Sequence, residues 1–384
     1  MKPRILIFST AYYPFVGGAE VAISEITSRL AGEFQFEMIT ARLDAKLAKE
    51  EKVGDVLVHR IGFGSNLDKL LVPFLGALKV AEVNKKRKID LFFPAMVTYA
   101  SGAAYIYNIF YSHKIPVVLN LQEGDSEEHL TKRHFGLIDL AWRMALKRSS
   151  YVTALSNYLM KRARDLGYKG LGKVIPNAVD AQAFALKLDK RERVTLRKRL
   201  GFSEDDFVLV TTSRLVLKNA VGDIVKALAY LPKEVNFLCI GSGPLEAELK
   251  LLAGSYKLNE RIVWMGLVPN DELPDYLAAS DVFVRPSLSE GLGISFLEAM
   301  AAGLPVIATP VGGIPDFLKD GLTGLTCEVQ NPVSIADCVK RLVANPNLRQ
   351  ELSKWAREAV AERYSWDKVV VDINDVFNSV IAKP

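Results

Sequence analysis

Along the whole of this 384-residue chain, short apolar runs alternate with amphipathic stretches of helix length. That alternation is the signature of parallel sheets flanked by helices. In the first half, strands are expected at Arg4–Ser9, Phe36–Thr40, Val56–Arg60, Asp90–Phe93, Pro116–Leu121, Tyr151–Ala154 and Val174–Ile175. In the second they are expected at Phe207–Ser213, Asn236–Ile240, Ile262–Met265, Val282–Val284 and Pro305–Thr309. Between the two sets, Pro176 to Phe202 is polar and dense in charge, which reads as a linker and a surface helix. A chain of this length exceeds one ordinary core and suits two α/β domains, 1–185 and 186–365. Trp366 to Ile381 is patterned as one last helix. Two doubly wound domains predict a ligand in a cleft at the carboxyl ends of the strands.

Composition excludes several classes. An apolar share of 49% and a charged share of 24% rule out wholesale disorder. The three cysteines, Cys239, Cys327 and Cys338, are odd in number and far apart, so a reducing compartment is expected rather than a disulfide framework or a paired zinc site. Ile5 to Phe8 is too short for the core of an export signal, and a cytoplasmic protein is expected. Leu91 to Ser112 carries no charged side chain, yet Pro94, Thr98, Ser101, Gly102 and Asn108 break it into a strand and a helix of a buried βα unit.

Charge is uneven. Residues 1–185 hold 25 Lys+Arg against 18 Asp+Glu, a net +7, and the remainder holds 24 against 26, a net −2. The basic groups bunch at Lys85–Lys88, Lys132–Arg133, Lys147–Arg148 and Lys161–Arg164. They read either as solvated helix ends or as a face meeting an anionic partner, such as the inner surface of a membrane. No recognised nucleic-acid motif accompanies them.

The segment from Ser289 to Gly303 carries the most chemistry. Gly291 and Gly293 let the backbone approach a ligand, and the helix that opens at Ile294 adds unpaired N–H groups and partial positive charge. It is a backbone anion site. A triphosphate loop of the G-x-x-x-x-G-K-[ST] type is absent, and Phe296 occupies the third position of a dinucleotide fingerprint, so a nicotinamide enzyme loses its main support. Glu290 and Glu298 frame the loop and suit hydroxyls rather than phosphates. Cations for a diphosphate are expected from Arg214, at the carboxyl end of a strand, and from Lys218 four residues on. Gly17 and Gly18 open the first helix and again permit close approach.

Together these residues resemble the retaining GT-B glycosyltransferases of family 4, whose E-x7-E motif matches Glu290 through Glu298. Gly303-Leu304-Pro305, Gly312-Gly313, Arg214 with Lys218, Gly241-Ser242-Gly243-Pro244, Gly266, Pro176-Asn177-Ala178-Val179-Asp180 and Gly17-Gly18 follow in the family's order. The resemblance covers nearly the whole chain and is strongest in its second half. It implies α/β GT-B architecture: two doubly wound Rossmann-like domains facing a cleft, with the last helix, 366–384, packing back on the first. It further implies metal-independent transfer of a sugar from a nucleotide-diphosphate sugar, UDP- or GDP-linked, to a glycan or lipid-linked acceptor. No cofactor is implied, since the nucleotide-sugar is a substrate. Carried over by position, Glu298 holds the ribose, Glu290 the sugar hydroxyls, and Arg214 and Lys218 the diphosphate. Backbone amides of Leu292, Gly293, Ile294 and Ser295 reach the phosphate or the sugar, Gly241 lies at the base, and Gly18 closes over the phosphates.

Two departures from the pattern stand out. Where many members carry a histidine, this chain has Gln122-Glu123-Gly124-Asp125, which makes Gln122 and Asp125 candidate sugar or acceptor contacts. His129 and His134 nearby are expected on the surface of a helix. Ala178 stands where the family has glycine, so a positive φ is not expected there. A same-fold nucleotide-sugar epimerase and a non-catalytic nucleotide-sugar-binding homologue are the alternatives.

Overall fold

A computed structural model of the protein describes residues 2–97, 99–111, 114–124, 137–185 and 188–382. The chain divides into two compact units, with one boundary after Asn177 and a second before Trp366.

The first unit holds strands β1 (Arg4–Phe8), β2 (Gln35–Ala41), β3 (Glu50–Val53), β4 (Val56–Ile61), β5 (Leu91–Pro94), β6 (Val118–Leu121), β7 (Tyr151–Ala154) and β8 (Leu171–Val174). Its helices are α1 (Gly18–Leu30), α2 (Asp68–Lys86), α3 (Ser101–Phe110), α4 (Leu137–Arg148) and α5 (Asn157–Asp165), joined by the last helix of the chain, α14 (Trp366–Ile381). The strands run in the order β3-β4-β2-β1-β5, and parallel bridges Phe92–Val117 and Ala95–Asn120 carry β5 on to β6-β7-β8. Every pairing is parallel except β3 with β4. Ile5 to Phe8 are fully buried, as an uninterrupted apolar run in a central parallel strand should be. Phe8 packs edge-on against Phe92 with ring centroids 5.2 Å apart. Helix α14 returns to this core through Phe377, 5.0 Å from the Phe93 ring, and through Trp366 beneath the Arg29 guanidinium at 5.6 Å.

The second unit opens with α6 (Ala181–Phe184) and α7 (Lys190–Arg199) and continues with β9 (Phe207–Thr212), α8 (Val221–Leu228), β10 (Val235–Ile240), α9 (Glu246–Ser255) and β11 (Ile262–Gly266). It then runs through α10 (Leu273–Ala278), β12 (Val282–Arg285), α11 (Ile294–Ala301), β13 (Val306–Ala308), β14 (Leu325–Thr326), α12 (Pro332–Ala344) and α13 (Pro346–Arg363). Its six strands are all parallel in the order β11-β10-β9-β12-β13-β14. Numbered from its own first strand, that order is 3-2-1-4-5-6, which places a topological switch point between β9 and β12. In the first unit the same reversal lies between β1 and β5.

Several details differ from the sequence reading. The division falls after Asn177 rather than after residue 185, because Ala178, Val179 and Phe184 are buried and the Val179 N–H donates to the Tyr364 carbonyl at 3.0 Å, all within the second unit. Strand β3 has no counterpart among the expected strands: its Glu-Glu-Lys-Val sequence lacks an apolar signal, and it forms as the antiparallel partner of β4 at the sheet edge. Strand β8 runs over Leu171–Val174 rather than Val174–Ile175, its Gly172 and Lys173 concealing the pattern. Leu91 to Ser112 does divide into β5 and α3, and no helix among the described residues is long and apolar enough to cross a membrane. Ala178 stays outside the left-handed region, so alanine replaces the family's glycine without backbone strain. The three cysteines are free and buried.

Candidate active site

The residues singled out in the second half gather at the switch point between β9 and β12, and the backbone there is tightly interlocked. The Leu288 N–H donates to the Lys218 carbonyl at 2.7 Å, tying the loop after β12 to the loop after β9. The Leu215 N–H donates to the Ser242 carbonyl at 2.9 Å, tying the β9 loop to the loop after β10. The Gly313 N–H donates to the Glu290 carbonyl at 3.0 Å. Two glycines make these approaches possible. A Cβ on Gly241 (φ 126°) would sit 2.0 Å from the Ser213 carbonyl oxygen, and one on Gly312 (φ 56°) would sit 1.9 Å from that of Glu290. The double glycine that trails the E-x7-E segment is therefore a seat for the Glu290 backbone.

Side chains on this frame are centred on Arg285, the last residue of β12. Its guanidinium is buried, donates to Glu290 Oε2 at 2.6 Å and to Ser295 Oγ at 2.6 Å, and lies 4.1 Å from the centroid of the Phe296 ring. Burial pulls its pKa below the usual arginine value, opposed by the carboxylates of Glu290 and Glu298. Glu290 also accepts the Gly291 N–H at 3.2 Å. Glu298, on α11, has no side-chain hydrogen bond among the described residues. Burial pushes its carboxyl up to about 7, against the opposing pull of Arg285.

Cations and amides face the same end of the sheet. Arg214 is exposed, and its guanidinium has no hydrogen bond or ion pair among the described residues. Its backbone is held by the Asn219 side-chain amide, which donates to the Arg214 carbonyl at 2.7 Å. Lys218 stands on the short 3-10 turn Leu217–Asn219. Helix α11 starts from Gly293 in the left-handed region (φ 90°), so the amides of Ile294 and Ser295 have no acceptor within the helix. The hydroxyls of Thr211, Thr212, Ser213 and Ser287 and the Nε of Arg285 are buried without partners among the described residues at these same strand ends. Buried polar atoms ordinarily find partners, so such a concentration marks a surface built for something polar.

In the first unit, Gly17 caps α1 and its N–H donates to Glu20 at 2.8 Å, while Gly18 is the first helical residue; both glycines are exposed. Burial raises the Glu20 carboxyl above its ordinary value. Gln122, just past β6, accepts the Asn177 side-chain amide on Oε1 at 3.3 Å, and its buried Nε2 has no partner among the described residues. Asp125, His129 and His134 lie outside the described residues. Among the described residues there is no cluster of three or more His, Cys, Asp or Glu side chains with metal-binding geometry.

Residues 192–359 match the model described as glycosyl transferases group 1, and residues 16–183 match that of glycosyltransferase family 4. The chain belongs to glycosyltransferase family 4. It is similar to N-acetyl-alpha-D-glucosaminyl L-malate synthase of Bacillus anthracis, 28% identical over 380 residues and covering 96% of each chain. It is also similar to the GDP-mannose-dependent alpha-(1-6)-phosphatidylinositol monomannoside mannosyltransferase of Mycobacterium tuberculosis, 33% identical over 235 residues that span 58% of this chain and 60% of that one. HepE of Anabaena, solved in complex with UDP and glucose, has the same fold, with a TM-score of 0.81 over 98% of this chain and 100% of that one at 21% identity.

This glycosyltransferase holds one prominent residue that sequence reasoning misses, Arg285. The signal is there: an arginine closes the apolar run Val282-Phe283-Val284, five residues before a carboxylate.

Proposed function

We propose that the protein is a retaining glycosyltransferase that moves a sugar from a nucleoside diphosphate sugar to a hydroxyl of a glycan or lipid-linked acceptor, with no metal required. The observation that carries this reading is the division of labour at the β9–β12 switch point. Arg285 is spent on Glu290 and Ser295, whereas Arg214 presents an exposed cation, unpaired among the described residues, at the same end of the sheet as the open amides of α11. Such an arrangement suits a diphosphate held by Arg214, Lys218 and the α11 amides, with Glu290 and Glu298 left to take sugar and ribose hydroxyls. The family resemblance assigns Gly18 to the phosphates, and Gln122 is a candidate sugar contact.

In the reaction, the bond from the anomeric carbon to the diphosphate oxygen breaks and a bond to the acceptor oxygen forms on the same face. The acceptor's proton leaves with the departing diphosphate. Charge develops on that diphosphate, so donors aimed at it accelerate the step by roughly 3–4 kcal/mol each. A covalent double displacement through Glu290 is disfavoured, because Arg285 and the Gly291 N–H already engage its carboxylate oxygens. The solved complex of HepE with UDP and glucose and the GDP-mannose dependence in the mycobacterial relative's name both support a nucleotide-sugar donor, UDP- or GDP-linked.

Arg214→Ala tests the assignment. Turnover should fall by about two to three orders of magnitude, and wild-type turnover would sink it. Thermal unfolding with UDP, GDP, ADP and dTDP in turn, each with EDTA, names the base: a ligand at a hundred times its Kd adds about 2.7 kcal/mol.

A further inference from the structure

The first unit carries an apolar stripe that its own core does not use. Phe63, Leu67, Leu70, Phe74 and Leu78 are between 55% and 77% exposed. From Leu67 onward they recur at spacings of three and four residues, one face of α2, while Val72, Gly76, Ala77, Val80 and Val83 face the core. Phe63 is drawn onto the same end of the helix because the Asp68 carboxylate accepts the N–H groups of Phe63, Gly64 and Ser65 at 2.8, 2.6 and 3.0 Å. Four large side chains in one row, with exposed Phe63 in the loop that leads into the helix, exceed the scattered surface apolar residues that a soluble protein normally shows.

Charge decides what could cover that row. Residues 68–88 carry six cations (Lys69, Lys79, Lys85, Lys86, Arg87 and Lys88) against Asp68 and Glu82, and Asp68 is already spent on the loop amides. Lys85 and Lys88 are exposed. The whole segment 1–185 is net +7. A second copy of this chain meeting the stripe face to face would bring cation against cation. An apolar stripe flanked by lysines instead matches a surface with anionic headgroups above hydrocarbon.

We propose that the outer face of α2, with the Phe63 loop, seats peripherally on an anionic lipid bilayer. This goes beyond the donor-site reading and stands independently of it. The aromatic and leucine side chains enter the headgroup–acyl boundary, while Lys85 and Lys88 meet lipid phosphates.

Flotation tests it, using full-length protein with vesicles of phosphatidylcholine alone or mixed with phosphatidylglycerol. The protein should float with the mixed vesicles at low salt, and far less with phosphatidylcholine alone or at high salt. Leu70→Glu with Phe74→Glu, both exposed and outside the donor site, should abolish flotation while circular dichroism and nucleoside diphosphate binding stay unchanged. Lys85→Ala with Lys88→Ala should weaken partitioning by roughly fivefold per charge. Failure of the wild type to float at low salt overturns the proposal, as does flotation of the Leu70/Phe74 variant at the wild-type level. A dimer seen without vesicles and broken by that same variant would assign the stripe to a second copy instead.

Discussion

In the second unit, the loops after β9, β10 and β12 and the turn at Gly312 are joined amide to carbonyl, with Arg285 clamping Glu290 beneath them. In the first unit, the ends of β1, β5 and β6 also share backbone bonds, Ala95 N–H to the Phe8 carbonyl at 2.9 Å and Met96 N–H to the Asn120 carbonyl at 2.8 Å, but side chains do much of the holding. Glu20 takes the Gly17 N–H, Glu123 takes those of Val97 and Gln122, and the Asn177 side chain reaches Gln122. A backbone frame fixes where amides and carbonyls point whatever side chains come and go. A side-chain frame can be rewritten by one substitution.

The largest test of the contrast is Arg285→Met. Both members of the Arg285–Glu290 pair are nearly excluded from solvent, at 7% and 14% side-chain exposure. Removing the cation leaves Glu290 unpaired and takes from Glu298 the charge that partly offsets its burial, so a loss of about 3–5 kcal/mol is expected. The damage should be local: amide exchange should accelerate in β9 and β12 and stay at wild-type rates in β1 and β5. Equal acceleration in both units would mean that the two frames are not independent.

A smaller effect separates Glu298 from Glu290. Burial raises the Glu298 carboxyl to about 7, whereas an unfolded glutamate titrates near ~4.3. The folded protein therefore holds a proton that the unfolded chain releases, and the resulting stability is fully present below ~4.3 and lost as pH rises through about 7. Glu298→Gln stays neutral throughout. Its melting temperature should match the wild type at the acid end of that window and pull progressively above it towards neutral pH. Parallel curves for the two proteins would remove burial as the cause.

The same contrast explains what can be read from sequence. Backbone sites leave glycines behind, so Gly291 and Gly293 stand out in the sequence as a loop open to close approach, whereas Gly241, Gly312 and Gly313 stand out only through the family's order. Arg214 is legible from its place after an apolar strand. Arg285 closes an apolar strand in the same way, but the sequence does not say that it is buried rather than solvated; the sheet shows it buried beneath α11. Strand β3 is hidden because its pairing comes from the β4 edge rather than from its own side chains. The Asn177–Gln122 contact joins residues 55 positions apart, and no local spacing records it.

Gln122→Ala is the mildest change in stability and the sharpest in the other direction. Among the described residues the Gln122 Nε2 has no partner to lose, and its Oε1 makes one hydrogen bond to Asn177 at 3.3 Å. Loss of that bond costs about 1 kcal/mol or less, well below the Arg285 variant. If the unpaired Nε2 meets substrate, the deficit should appear in kcat/KM while the melting temperature barely moves and nucleoside diphosphate affinity holds. Gln122→His should then restore part of the activity and add a pH dependence near the imidazole pKa of ~6.5, which the amide cannot have. A variant that loses several degrees of stability but keeps its kcat/KM would instead make Gln122 a packing residue and remove it as a candidate sugar or acceptor contact.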